Sequence, residues 1–323
     1  MIDLRELKKY CNPSYLIIRN DKIIVSNKGL ARLSKDKMKE IEAEFGIPVI
    51  YSRVFEEISE RMGRFVSKNN IISPKDKVVV GLSGGKDSLA LLHLLEPYKR
   101  KYGVEIHAIT VDLNIDGIRP WNETNKNVKM ISKTCENLNI PHKIIPYDEN
   151  VVEMSKILSK NSKGIDYSPC FSCSISRRHI LTNYAKETFN CENVKIALGH
   201  TLEDNSDTII ANILKGNIIK ALEPIKNFDE TKIDFDGLKV SLKNCCMIRP
   251  LLNISEEKIK KALNECNIEY YKDKDECPYS RVNGDGIRKK SHEVLKNLEK
   301  DVPNIREMVI SSIVNSIEHY KRN

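Results

Sequence analysis

Val78-Val79-Val80-Gly81-Leu82-Ser83-Gly84-Gly85-Lys86-Asp87-Ser88, running on into Leu89-Ala90-Leu91-Leu92, decides the fold. A β-branched run, a hydroxyl with two glycines and a set of good helix formers predict a strand, a tight turn and a helix N-terminus. Backbone N–H groups left unpaired there, at the positive end of the helix dipole, make a site for a phosphate anion. Gly84 and Gly85 admit close backbone approach and positive φ, Ser83 and Ser88 add hydroxyls, and Lys86 adds a charge. This is not a Walker A loop, which spaces its first glycine further from its Gly-Lys pair. The plain alternative, a glycine turn without a ligand, is disfavoured by the strand–turn–helix context.

Downstream, strands and helices alternate, which argues an α/β domain with a doubly wound parallel sheet. Helices are expected over 86–100, 123–138 and 151–158, and strands over 105–112 and 142–146. The second strand ends in Asp112, and ligands in such sheets bind beyond the carboxyl ends of the strands. A polar loop, 159–168, leads to Pro169-Cys170-Phe171-Ser172-Cys173, with a helix resuming at Ser174. Strand 194–199 runs into His200-Thr201-Leu202-Glu203-Asp204-Asn205, the start of a helix reaching about Leu214. Residues 225–247 read as irregular or hairpin structure turning at Asp236-Gly237. A helix capped by Ser255 follows to about Asn267, and the tail is helical from Gly286 apart from a break near Pro303.

Upstream, Tyr15–Arg19 and Lys22–Ser26 flank Asn20-Asp21 as a hairpin, and a helix runs from Ser34 to Phe45 with Gly46 as its stop. Val54, Phe55, Ile58, Met62, Phe65 and Val66 mark an amphipathic helix over 52–69. The division expected is therefore a hairpin-plus-helix unit (1–50), a connecting helix (51–72), a nucleotide domain (73–253) and a helical C-terminal region (254–323).

The chain of 323 residues has room for about two domains. No apolar run approaches the ~20 residues of a membrane span, and Met1-Ile2-Asp3-Leu4-Arg5 lacks a signal-peptide pattern, so a cytoplasmic protein with no membrane partner is expected. A formal charge of +8 suits a polyanionic partner.

Nine cysteines are too few for a disulfide scaffold in a chain of this size. Cys170 and Cys173 form a CxxC pair at a helix start, where the dipole, Arg177 and Arg178 favour thiolates. The best third ligand is Cys277, in the polar, turn-like Glu276-Cys277-Pro278-Tyr279-Ser280. Three thiolates suit an iron–sulfur cluster with one iron open; a structural zinc site wants four, and Cys245-Cys246 is the available source of a fourth. Cys11, Cys135, Cys191 and Cys266 read as structural, and the Cys245-Cys246 pair as a buried strand end.

Ser83 to Ser88 resembles the SGGxDS signature of the PP-loop (N-type) ATP pyrophosphatases, whose adenine-nucleotide α-hydrolase-like fold is the one expected here. Over roughly 55–304 the chain resembles the TtcA/TtuA family of tRNA 2-thiolation enzymes. The matching pieces are the loop, Cys170-x-x-Cys173 with Arg177-Arg178, Leu198-Gly199-His200-x-x-x-Asp204, Arg249-Pro250-Leu251 and Cys277-Pro278-Tyr279-Ser280. It departs in lacking the zinc-binding cysteine pairs of the TtuA-type branch near the termini, and in having Glu203-Asp204 where two aspartates are usual.

The resemblance implies ATP held by Ser83, Gly84, Gly85, Lys86, Asp87, Ser88, Asp112, Gly199 and His200. It implies Mg²⁺ near Asp87 and Asp204, Arg177 over the adenylated oxygen, and Lys86 on the departing pyrophosphate. It also implies a [4Fe-4S] cluster on Cys170, Cys173 and Cys277, and a homodimer. The reaction would adenylate a pyrimidine C2 carbonyl of tRNA and replace its oxygen by sulfur. The donor would be free sulfide, a cysteine desulfurase or a sulfur-carrier protein. Arg288, Lys289, Lys290 and Lys296 would form a basic face for tRNA phosphates, or simply a solvated helix face balanced by Glu293 and Glu299. The alternatives are persulfide chemistry without a cluster, with Cys173 and Cys277 as carrier and partner; a non-thiolating PP-loop ligase; and a nucleotide-binding sensor.

Overall fold

The computed structural model describes residues 2–161, 167–189, 194–217, 219–228, 232–235, 238–241, 245–271, 279 and 286–322. The chain opens with α1 (Leu4–Tyr10), the hairpin β1 (Leu16–Ile18) and β2 (Ile23–Val25), α2 (Lys28–Ala31), α3 (Lys35–Phe45) and β3 (Val49–Tyr51). Ser34 caps α3 through Lys37 N, and Gly46 ends it at φ 65°, as the local residue types require. The two short helices and β3, which lies parallel to β2, are too short to announce themselves by periodicity.

After α4 (Arg53–Lys68) come β4 (Lys77–Gly81), α5 (Lys86–Tyr102), β5 (Glu105–Asn114), α6 (Lys126–Asn137), β6 (His142–Asn150) and α7 (Val151–Asn161). Then follow α8 (Pro169–Phe189), β7 (Val194–Ala197), α9 (Leu202–Leu214), β8 (Ile225–Phe228), β9 (Lys232–Phe235), β10 (Leu238–Ser241) and β11 (Cys245–Ile248). The chain finishes with α10 (Glu256–Glu265), α11 (Gly286–Leu298) and α12 (Ile305–Arg322). None of the described helices is long and apolar enough to cross a membrane.

The main sheet has the order β6-β5-β4-β7-β11-β8, parallel except for β8 at its edge. Side chains alternate between two cores, as a strand's period of two dictates. Val78 and Val80 share one core with Phe55, Met62, Leu92 and Leu263; Val79 belongs to the other, with Val152, Ile175 and Leu181. Burial on both faces is why this strand reads as an unbroken apolar run.

Two expectations need correction. Residues 225–247 are not merely a hairpin: β9 and β10 pair with each other, but β8 and β11 are strands of the main sheet. Met247 and Ile248 are both fully buried, on opposite faces, so β11 shows no alternation to read. The helix expected from Ser174 begins at Pro169 instead, taking the CxxC pair into its first turns; proline is well suited to a first helical position.

The N-terminal sheet lies against α5. Arg19, 6 % exposed, pairs with Asp21 at 2.7 Å and reaches His93 Nε2 at 2.7 Å, while Ile18 N donates to Glu96. Burial and the neighbouring Arg19 push the His93 imidazole down to about 3, so it is neutral.

Candidate active site

Strand order reverses direction between β4 and β7, which puts a crevice at their carboxyl ends. The loop after β4 and the Gly199-His200 tip after β7 meet there. A Cβ on Gly199 would lie 3.0 Å from the Asp87 carbonyl carbon and 3.1 Å from Ser88 N, so only glycine lets the tip approach the start of α5 this closely.

The loop is already formed. Gly84 has φ +77°, and its carbonyl accepts from Tyr271 N at 2.7 Å. Ser88 Oγ donates to Gly85 O at 3.0 Å and accepts from Ser83 N at 3.3 Å. Gly85 caps α5 without a side chain, leaving the first-turn amides to an incoming anion.

Lys86 Nζ sits between Asp87 Oδ2 (3.0 Å) and Glu256 Oε2 (2.6 Å). Burial weakens its ammonium, but the two carboxylates outweigh burial and hold its pKa above the usual value. Burial raises Asp87 to about 6, with Glu256 and Asp204 adding to the rise and Lys86 opposing it. Asp87 Oδ1 and Asp112 Oδ1 are enclosed and have no hydrogen-bond partner among the described residues. Asp112 Oδ2 is 3.3 Å from Arg119. His200 Nδ1 is likewise enclosed and unpartnered; burial together with Arg249, Arg178 and Arg288 holds the imidazole neutral against the pull of Asp204.

Asp204 makes two contacts within the chain. Its Oδ2 completes a capping box with Thr201 N at 3.0 Å, and its Oδ1 pairs with Arg288 at 2.6 Å. Arg288, expected on a basic face for phosphates, is exposed while making this pair. The carboxylate that sequence reasoning missed is Glu203: buried, accepting from Glu256 N at 3.0 Å, and raised by burial to about 7. Glu256 stands in the first turn of α10, and its contact with Lys86 spans 170 positions.

Cys170 is exposed and Cys173 half-buried in the first turns of α8. Cys170 Sγ donates to Tyr279 O at 3.9 Å, and the Tyr279 hydroxyl donates to Asp116 Oδ2 at 3.2 Å. Cys277 lies outside the described residues. By contrast, burial raises the thiols of Cys135 and Cys266 to about 12 and of Cys11 to about 11, leaving them inert. Cys246 packs against the core on the α4 side of the sheet, whereas Cys173 packs on the α8 side, so these two cannot share one metal ion. Cys191 and the side chain of Cys245 are outside the described residues. Among the described residues no three His, Cys, Asp or Glu groups converge as metal ligands. The CxxC pair, at a helix N-terminus and open to solvent, is a donor set suited to a thiolate-ligated centre completed by a third cysteine.

Arg177, one turn beyond Cys173, lies with its guanidinium carbon 4.5 Å from the centre of the Trp121 ring. Trp121 Nε1 donates to Ser83 O at 3.4 Å.

Residues 54–283 match the PP-loop domain family. A probable sulfurtransferase of Methanocaldococcus jannaschii is 57% identical, the alignment covering 100% of this chain and 97% of that one. The tRNA-cytidine(32) 2-sulfurtransferase of Geotalea uraniireducens is 28% identical over 84% of this chain and 96% of its own. Among solved structures, the U34-tRNA thiolase NcsA from Methanococcus maripaludis with its [4Fe-4S] cluster aligns with a TM-score of 0.58 and 26% identity, covering 81% of this chain and 79% of that one.

Proposed function

This chain belongs to the PP-loop family, and we propose that it is a tRNA sulfurtransferase that installs 2-thiopyrimidine at the expense of ATP. The observation that carries the reading is the contact of Cys170 Sγ with the carbonyl of Tyr279, two residues beyond Cys277, on a sheet whose loop is built for a phosphate. In this reading a pyrimidine C2 carbonyl oxygen attacks the α-phosphorus of ATP, and the bond to pyrophosphate breaks. Sulfur then bonds to C2, AMP departs with the former carbonyl oxygen, and a thiocarbonyl remains.

The amides opening α5 and the Lys86 ammonium neutralise charge on the departing pyrophosphate. Lys86 is pre-positioned by Asp87 and Glu256, so little side-chain entropy is lost when phosphate arrives. Asp87, with Oδ1 unpartnered, would hold Mg²⁺, which would offset the negative charge of the phosphates; Asp204 caps α9 beside it. Cys170, Cys173 and Cys277 would hold a [4Fe-4S] cluster, which when bound supplies an iron open to a sulfur ligand. Sulfide, a desulfurase or a sulfur carrier would supply the sulfur, in the cytoplasm.

The test is anaerobic protein given ATP, Mg²⁺, sulfide and unmodified tRNA, with nucleosides read by mass spectrometry. Thiolated uridine or cytidine together with AMP is the expected result. ATP binding without any thionucleoside would leave only a sensor or a different ligase, and thiolation by iron-free protein would favour the persulfide route.

A further inference from the structure

We infer that Trp121 is a positioning residue that ties the ATP loop to the cysteine helix by holding Arg177 in place. The inference rests on the thiolation reading and adds a residue to it. Trp121 lies between β5 and α6, in a segment anchored by Arg119, which pairs with Asp112 and Asp148. Its indole N–H is turned toward the loop, donating to the Ser83 carbonyl at 3.4 Å. Its ring lies 4.5 Å from the guanidinium carbon of Arg177. Arg177 and Cys173 are spaced four residues apart on α8, and therefore share one face of that helix. The result is a continuous line of contacts from the loop carbonyl through the indole to the guanidinium, ending one helical turn from a thiol.

A long side chain facing an open crevice is otherwise spread over many rotamers. Stacking on an aromatic face limits that spread and leaves the guanidinium edge, with its donors, directed outward to an anionic or carbonyl oxygen. Phenylalanine keeps the face without the N–H; leucine removes both. The two halves of the proposed role are thus separable.

Trp121 is the chain's single tryptophan, so its emission reports this contact without a label. With wild-type protein, ATP–Mg²⁺ titrated to calorimetric saturation is expected to change that emission, since the loop carbonyl is the indole's partner; unchanged emission overturns the inference. Arg177→Met is expected to alter the emission of the nucleotide-free protein. In turnover, Trp121→Leu and Arg177→Met are each expected to lower kcat about tenfold to a hundredfold, and the double variant no further than either single one. Trp121→Phe is expected to raise KM for ATP severalfold while keeping most of kcat. Multiplicative losses in the double variant, or wild-type kcat in Trp121→Leu, overturn the inference. Wild-type protein that binds ATP with an emission change but forms no thionucleoside would refute the thiolation reading and leave the loop contact standing.

Discussion

The Cys170 thiol donates to the Tyr279 carbonyl oxygen at 3.9 Å, joining positions 109 residues apart. Tyr279 is held in turn by its hydroxyl on Asp116 and by packing against the α8-side core. Tyr279, two positions after Cys277 in the sequence, therefore touches the helix that carries the CxxC pair.

If the cluster proposed on Cys170, Cys173 and Cys277 relies on Tyr279, Tyr279→Phe should weaken iron loading modestly and Tyr279→Ala should weaken it severalfold, with secondary structure unchanged by circular dichroism. Iron per chain after anaerobic reconstitution is the measurement. Full loading of Tyr279→Ala would show that iron binding does not rely on Tyr279.

Glu203 should make the nucleotide-free protein less stable as pH rises. Burial raises its carboxyl from 4.5 to about 7, so between those values the folded chain holds a proton that the unfolded chain has released, and stability falls with increasing pH. At ~1.4 kcal/mol per unit the penalty above pH 7 is at most about 3–4 kcal/mol. Glu203→Gln, which can still accept from Glu256 N, should therefore raise Tm at pH 8 and have no effect near pH 4. Equal Tm for both proteins at pH 8 would show that the carboxylate carries no burial penalty.

Gly199→Ala should abolish tight ATP binding and destabilise the fold by roughly 1–3 kcal/mol, because the new methyl meets the α5 backbone rather than a movable side chain. Calorimetric ATP titration and urea unfolding check the two effects separately.

The C-terminal helices are bolted to α9 by a buried ion pair. Arg306, 1 % exposed, bonds Asp207 Oδ1 at 2.6 Å and Ser206 Oγ at 2.9 Å, and His292 meets the other Asp207 oxygen at 2.9 Å. Arg306→Met leaves the buried Asp207 Oδ1 without its cation, with only His292 at the other oxygen, and should cost about 3 kcal/mol in urea unfolding. Adding Asp207→Asn should recover part of that loss; a double variant worse than the single one would contradict the pairing.

Local chemistry made much of this molecule readable in advance. The strand and turn from Val78 to Gly85, the caps at Ser34, Gly46 and Ser255, and the alternating order of elements all depend on neighbours a few residues apart, and the structure has them where the residues indicate. The CxxC pair was also visible, with its helix starting at Pro169 rather than Ser174.

Position in the chain could not reveal which groups face one another across it. Glu256 holds Lys86, Arg288 meets Asp204, Trp121 bridges Ser83 and Arg177, and β11 enters the main sheet beside β7 only once the chain has folded. The sequence alone determined a parallel α/β sheet with a phosphate-binding turn, because backbone preference and hydrophobic period are short-range properties. Tertiary structure alone decided which carboxylates are charged, which cations are already paired and what the tryptophan touches. Those outcomes depend on burial and on through-space distances between residues tens to hundreds of positions apart.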